Sequence, residues 1–100
     1  MYVILWEFEP KPEAVRAFER AYGPNGDWAG FFGTGAGYRG TELLRDLEKP
    51  GRYITIDRWD SRSAYLTFVA GAAAEYDAID KRCEALTARE TLIGRFDAAL

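Results

Sequence analysis

The spacing of apolar residues switches along the chain between two habits: near-continuous or alternating runs, which suit strands, and steps of three and four, which suit helices. Tyr2–Glu9 (YVILWEFE) is an almost unbroken apolar run of strand composition, which implies burial on both of its faces. Pro10-Lys11-Pro12 ends it and places a proline where a first helical turn accepts one. Ala14, Val15, Phe18, Ala21 and Tyr22 then recur at helical spacing, predicting a helix over Pro12–Tyr22 that Gly23-Pro24 stops. Gly23 to Gly37 is dense in glycine and holds Trp28, Phe31 and Phe32; it predicts a loop with one helical turn around Asp27–Phe32, pinned by its aromatics. Tyr38–Leu47 and Arg52–Asp60 predict two further strands, paired as an antiparallel hairpin through Glu48-Lys49-Pro50-Gly51. Asp60-Ser61 supplies side chains that accept hydrogen bonds from the free N–H groups opening a helix. Tyr65, Phe68, Ala72, Tyr76, Ile79, Cys83 and Leu86 follow in one helical stripe, with Gly71 predicting a kink or short break. Arg89–Asp97 predicts a fourth strand, with Thr91, Ile93 and Arg95 on one side and Leu92, Gly94 and Phe96 on the other.

The resulting order, β-α-β-β-α-β, is the split arrangement of an α+β ferredoxin-like sheet with both helices on one face. In the first strand Tyr2, Ile4, Trp6 and Phe8 point one way and Val3 and Leu5 the other; the third strand sets Ile54 and Ile56 against Tyr53 and Trp59. Two helices cover only one of these faces. A soluble protein rarely leaves an apolar sheet face in water, so the pattern predicts a homodimer that closes face to face.

At 100 residues the chain is expected to be one domain, 1–100, large enough for a real core. A net charge of −3 with scattered basic residues argues against nucleic acid and anionic membranes as partners. The chain has no histidine and one cysteine, Cys83, which removes Ser-His and Cys-His nucleophile pairs and histidine- or cysteine-built metal sites. The apolar first residues lack a basic flank, a cleavage site and the length of a membrane helix, so the expected location is the cytoplasm.

Candidate chemistry is sparse. Gly35-Ala36-Gly37-Tyr38-Arg39-Gly40 fits the dinucleotide spacing, but it enters a strand instead of leaving one for a helix, so it is a turn and no cofactor is expected from it. Trp59 closes a strand, where it can pack in the core, stack on a flat ligand or donate its N–H to a developing oxyanion. Tyr65 and Tyr76 share one helical stripe and can present hydroxyls to a pocket or simply fill the core; Trp6 faces the same choice. Arg58 points opposite to Trp59 unless a bulge intervenes; turned inward it would hold a phenolate, turned outward it pairs with an acid. Asp57 and Glu7 lie inside apolar strands, where partial burial raises a carboxyl towards use as a base and an ion pair leaves it inert.

The corner Trp59-Asp60-Ser61 followed by Ala64-Tyr65, the opening YVILWEFE, the segment Gly37-Tyr38-Arg39-Gly40-Thr41-Glu42-Leu43-Leu44 and the closing strand together resemble the antibiotic biosynthesis monooxygenase family of dimeric α/β barrels. The resemblance implies two four-stranded sheets closing into a barrel. It further implies cofactor-free oxygenation of a planar phenol or quinol, with Trp59, Tyr65 and Tyr76 as catalytic groups. Trp6, Phe32, Arg58 and Phe68 would bind the small aromatic or apolar ligand. No metal is implied, because the histidine that ligates iron in the heme-degrading branch has no counterpart here. The same fold also serves non-catalytic ligand-binding or stress-response dimers and isomerases of small carbonyl compounds, and both alternatives stand at this point.

Overall fold

In the computed structural model, which describes residues 1–99, four strands form one antiparallel sheet: β1 (Tyr2–Pro10), β2 (Tyr38–Arg45), β3 (Tyr53–Trp59) and β4 (Thr87–Asp97), in the order β2-β3-β1-β4. A 3-10 turn at Pro12–Ala14 leads into α1 (Val15–Tyr22), and α2 (Asp27–Phe32), α3 (Arg62–Gly71) and α4 (Ala73–Cys83) complete the helices. This is the α+β ferredoxin-like arrangement that the residue pattern predicts. The expected break in the long helix falls at Ala72, whose φ of −130° and ψ of 29° separate α3 from α4 directly after Gly71. Ser61 caps α3, its hydroxyl accepting the Ala64 N–H at 3.0 Å. Among the described residues no helix is long and apolar enough to cross a membrane.

Alternation decides which side chains meet the helices. Tyr2, Ile4 and Phe8 of β1 and Tyr53, Thr55, Asp57 and Trp59 of β3 are buried beneath them. The same face holds an almost continuous aromatic layer: Phe18 of α1, fully buried, lies 5.5 Å from Phe8 and 5.1 Å from Tyr53, centroid to centroid. Trp28 of α2 packs edge-on to Tyr76 of α4 at 5.1 Å. Val3, Leu5, Ile54 and Ile56 occupy the other face, half-buried, with Leu44 and Phe96 exposed beside them.

Two strand details differ from expectation. β2 ends at Arg45 and not Leu47, because the Asp46 carboxylate accepts the N–H groups of Glu48 and Lys49 and turns the chain there. In β4 the register with β1 slips between Leu92 and Gly94, so Ile93 is an extra, bulged residue. The slip reverses the parity expected from simple alternation. Leu92 and Arg95 align with Trp6 and Ile4 on the helix-covered face, whereas Thr91, Gly94 and Phe96 align with Glu7, Leu5 and Val3 on the open face.

The turn between α1 and α2 is close-packed at Gly23 and most tightly at Gly26. A Cβ on Gly26 would stand 2.1 Å from the Arg20 carbonyl oxygen and 2.6 Å from that of Ala21, whereas one on Gly30, four residues on, would meet nothing within 4 Å. Gly26→Ala is therefore expected to cost about 1–3 kcal/mol in urea unfolding through forced backbone shifts. Gly30→Ala should be neutral or stabilising by up to about 1 kcal/mol, since it only adds helix propensity.

Candidate functional site

β3 brings a carboxylate into the aromatic layer. Asp57 shares its strand face with Tyr53, Thr55 and Trp59, and its cross-strand neighbours are Ile4 on one side and Thr41 on the other. It is 8% exposed and none of the ion pairs among the described residues involves it. Its hydrogen-bond partner is the Thr41 hydroxyl, which donates to Oδ1. Above it lies a cavity of about 70 Å³. The sheet contributes Trp6, Phe8, Thr41, Thr55, Asp57 and Glu90 to its walls; α1 and α2 contribute Tyr22, Trp28 and Phe32, and α4 contributes Tyr76 and Asp80.

The field in this cavity is set by burial and by acids. Asp57 is pushed up to about 6 by desolvation, which the Thr41 hydrogen bond only partly offsets. Burial pushes the Tyr76 hydroxyl up to about 12 and raises Tyr22 further, so both stay protonated at neutral pH. Glu90 is raised by burial and then by the neighbouring charges of Asp80 and Glu84. The walls contain three carboxylates and no lysine or arginine. A neutral molecule enters such a site more readily than an anion. Among the described residues no group of three acids, cysteines or histidines is arranged to hold a metal ion.

The residues singled out from sequence divide into three sets. Trp6, Phe32 and Tyr76 line the cavity. Trp59, Tyr65 and Phe68 form the adjoining layer: Trp59 is fully buried, with ring centroids 5.7 Å from Phe32, 5.5 Å from Tyr65 and 5.3 Å from Phe68, and its indole N–H has no acceptor among the described residues. Tyr65 and Tyr76 stand on different helices, because the break at Ala72 interrupts the stripe. Arg58 belongs to neither layer. Regular alternation along β3 places it on the open sheet face, where it pairs with Glu42, so it cannot hold an anion in the cavity.

Of the two strand carboxyls, Asp57 and Glu7, that the sequence leaves open as bases, parity singles out Asp57. Two residues before Trp59 on the same strand, it must share the buried face, whereas Glu7 has the opposite parity to Trp6 and Phe8 and is paired outside with Arg52. Asp80 and Glu90 carry no comparable signal; they sit exposed at the mouth and reach the cavity only through the packing of α4 beside β4. Cys83 is buried, its thiol raised chiefly by desolvation, as suits a small core residue.

A sequence model of the antibiotic biosynthesis monooxygenase family matches residues 1–76, a span that runs from β1 to Tyr76 over the cavity. The chain belongs to this family. A point mutant of SnoaB, a cofactor-independent oxygenase from Streptomyces nogalater, has a similar structure, with a TM-score of 0.80 and 22% identity over 99% of this chain and 93% of that one. A protein from Deinococcus radiodurans assigned to the antibiotic biosynthesis monooxygenases superposes with a TM-score of 0.75 at 16% identity, covering 100% of this chain and 94% of the other. One from Bordetella bronchiseptica does so at 0.74 and 18%, covering 99% and 97%. No curated protein matches the antibiotic biosynthesis monooxygenase domain described here in sequence. At these identities the likeness among monooxygenase-family structures is one of fold.

Burying Asp57 leaves a mark on stability. Its folded value of about 6 lies above the ordinary carboxylate value of 3.8, so the stability it contributes is full below about pH 4 and is lost as pH rises through 6. Asp57→Asn removes that loss. The variant should be more stable than the wild type by up to about 3 kcal/mol above pH 7, with the difference shrinking towards pH 4. Urea unfolding across that range measures it, and equal stabilities at every pH would show that Asp57 is not desolvated.

Proposed function

We propose that the protein is a cofactor-independent monooxygenase of a planar phenol or quinol, with Asp57 as its base. The observation that supports this most is a buried carboxylate without an ion-pair partner among the described residues, at the floor of an aromatic cavity, with an affinity for protons near neutrality. Asp57 would take the phenol O–H proton and leave an electron-rich phenolate between Trp6, Phe32 and Tyr76. The phenolate gives an electron to oxygen, and the ring carbon and the reduced oxygen join as a peroxide. Asp57 returns its proton to the outer peroxide oxygen. Loss of the ring C–H proton and cleavage of the O–O bond then release water and leave the quinone carbonyl. The sum is phenol plus oxygen giving quinone plus water, and Asp57 ends as it began.

The Tyr76 hydroxyl, protonated throughout, can donate to the phenolate oxygen; the layer of Trp59, Tyr65 and Phe68 keeps the rings above it in place. Size constrains the ligand. A cavity of about 150 Å³ takes up benzene, so the 70 Å³ present here must widen even for a single ring. Tyr76 lies on the first turn of α4, just past the Ala72 break, and its outward movement would supply the room. The negative mouth favours a neutral phenol over a carboxylated one.

Oxygen uptake with a hydroquinone series of one to three rings tests the reading. The wild-type rate should rise with pH through a midpoint near 6. Asp57→Asn should lose about 100-fold or more of it while still quenching its tryptophan fluorescence on binding the quinol. Full oxygen uptake by Asp57→Asn would remove the base from the mechanism.

A homodimer closing over the open sheet face completes the proposed assembly. Val3, Leu5, Ile54 and Ile56 with exposed Leu44 and Phe96 form an apolar surface that the helices on the far side cannot cover. Sedimentation at micromolar concentration should give twice 11.3 kDa, and Ile56→Asp should give the monomer. A monomeric wild type would count against this assembly.

A further inference from the structure

Thr41 and Tyr38 meet behind Asp57 by an irregularity of the edge strand. Residues three apart on a regular strand point to opposite faces. The register between β2 and β3 runs Tyr38 to Trp59 and then Gly40 to Arg58, so Arg39 is an inserted residue, and Gly40 takes a φ of +123° that other residues resist. The bulge resets the parity. Tyr38 and Thr41 therefore share the buried face, with their hydroxyl oxygens 2.5 Å apart. A threonine hydroxyl has one proton, and Thr41 commits it to Asp57 Oδ1. Thr41 must then accept from Tyr38, and donation runs from Tyr38 to Thr41 to Asp57.

We propose that Thr41 and Tyr38 are positioning residues for Asp57: their hydroxyl chain, assembled by the bulge at Gly40, occupies Oδ1 and leaves Oδ2 as the atom that takes a proton from a ligand in the cavity. The role rests on Asp57 being the base, and it extends the site along β2 from Thr41 to Tyr38. The chain favours the carboxylate form, because each hydroxyl proton in it points towards the charge. Other ionisable groups face Asp57 from every side: Tyr65 from α3, Tyr76 and Asp80 from α4, Glu90 from β4 and Tyr22 from α1, with Arg95 beyond Ile4. Burial raises the tyrosine hydroxyls above their ordinary value, so they remain protonated below pH 8, and it raises the Glu90 carboxyl as well.

Titration of the Asp57 carboxyl carbon by NMR in the 100-residue chain, alongside the pH profile of quinol-dependent oxygen uptake, tests the assignment. Thr41→Val keeps the shape and deletes the donor; it should move the Asp57 midpoint upward by about one pH unit or more, and the activity midpoint with it. Thr41→Ser should restore both. Tyr38→Phe, which removes one oxygen, should give a smaller upward shift. An unmoved Asp57 midpoint in Thr41→Val, or in Tyr38→Phe should Thr41→Val fail to fold, overturns the proposal. Thr41→Ser behaving like Thr41→Val overturns it too. The carboxyl titration needs no turnover: shifted midpoints in a protein without oxygen uptake would uphold the hydroxyl chain and reject the oxygenase reading.

Discussion

A carboxylate withdrawn from water is the constraint around which the rest of this molecule is arranged. Desolvation of Asp57 works against its charge, and a single hydroxyl offsets only part of that cost. An apolar residue at this position would pack against Ile4 and the aromatic layer without penalty. Instead the fold keeps an acid there, keeps Thr55 and Thr41 beside it, and leaves a small void above it. Polar atoms and empty space in the middle of an aromatic core are what a structure optimised only for stability would eliminate.

The aromatic layer makes this tolerable. Phe18, Phe8 and Tyr22 at one end of the sheet, and Phe32, Trp59 and Phe68 at the other, form two packed groups with Asp57 and its cavity between them. Each aromatic pair adds about 0.5–1.5 kcal/mol beyond its buried area, enough to support a site that gives little back. Fold and site are thus separable: the layers define the family architecture, and the chemistry depends on what β3 and its neighbours place in the gap.

Much of this was legible in the sequence. The element order, the two-sided first strand, the helical turn at Asp27–Phe32 and the corner at Trp59-Asp60-Ser61 all follow from period and punctuation. The faces of β4 and the meeting of Tyr38 with Thr41 were not, because a bulge is one inserted residue with no compositional signature beyond a glycine, and it reverses every face beyond it. Alternation alone marks Asp57 as buried. What it leaves open is whether a cation stands opposite, and only the assembled sheet answers that, by sending Arg58 to Glu42 and Arg52 to Glu7 on the open face.

The two helices after the Trp59 corner are anchored unequally. α3 has no fully buried side chain and exposes Leu66, whereas α4 buries Ile79 and Cys83 in its later turns. Local opening follows buried contact, so α3 and the Ala72 junction belong to the least protected end of the hydrogen-exchange spectrum and the sheet to the most protected. Tyr76 sits on the first turns of α4, next to that weak junction and ahead of its firm anchor. On the proposed reading, where the cavity must widen to admit a ring, opening of that junction would supply the movement, and the rate at which the site fills would then depend on local stability as much as on the shape of the pocket.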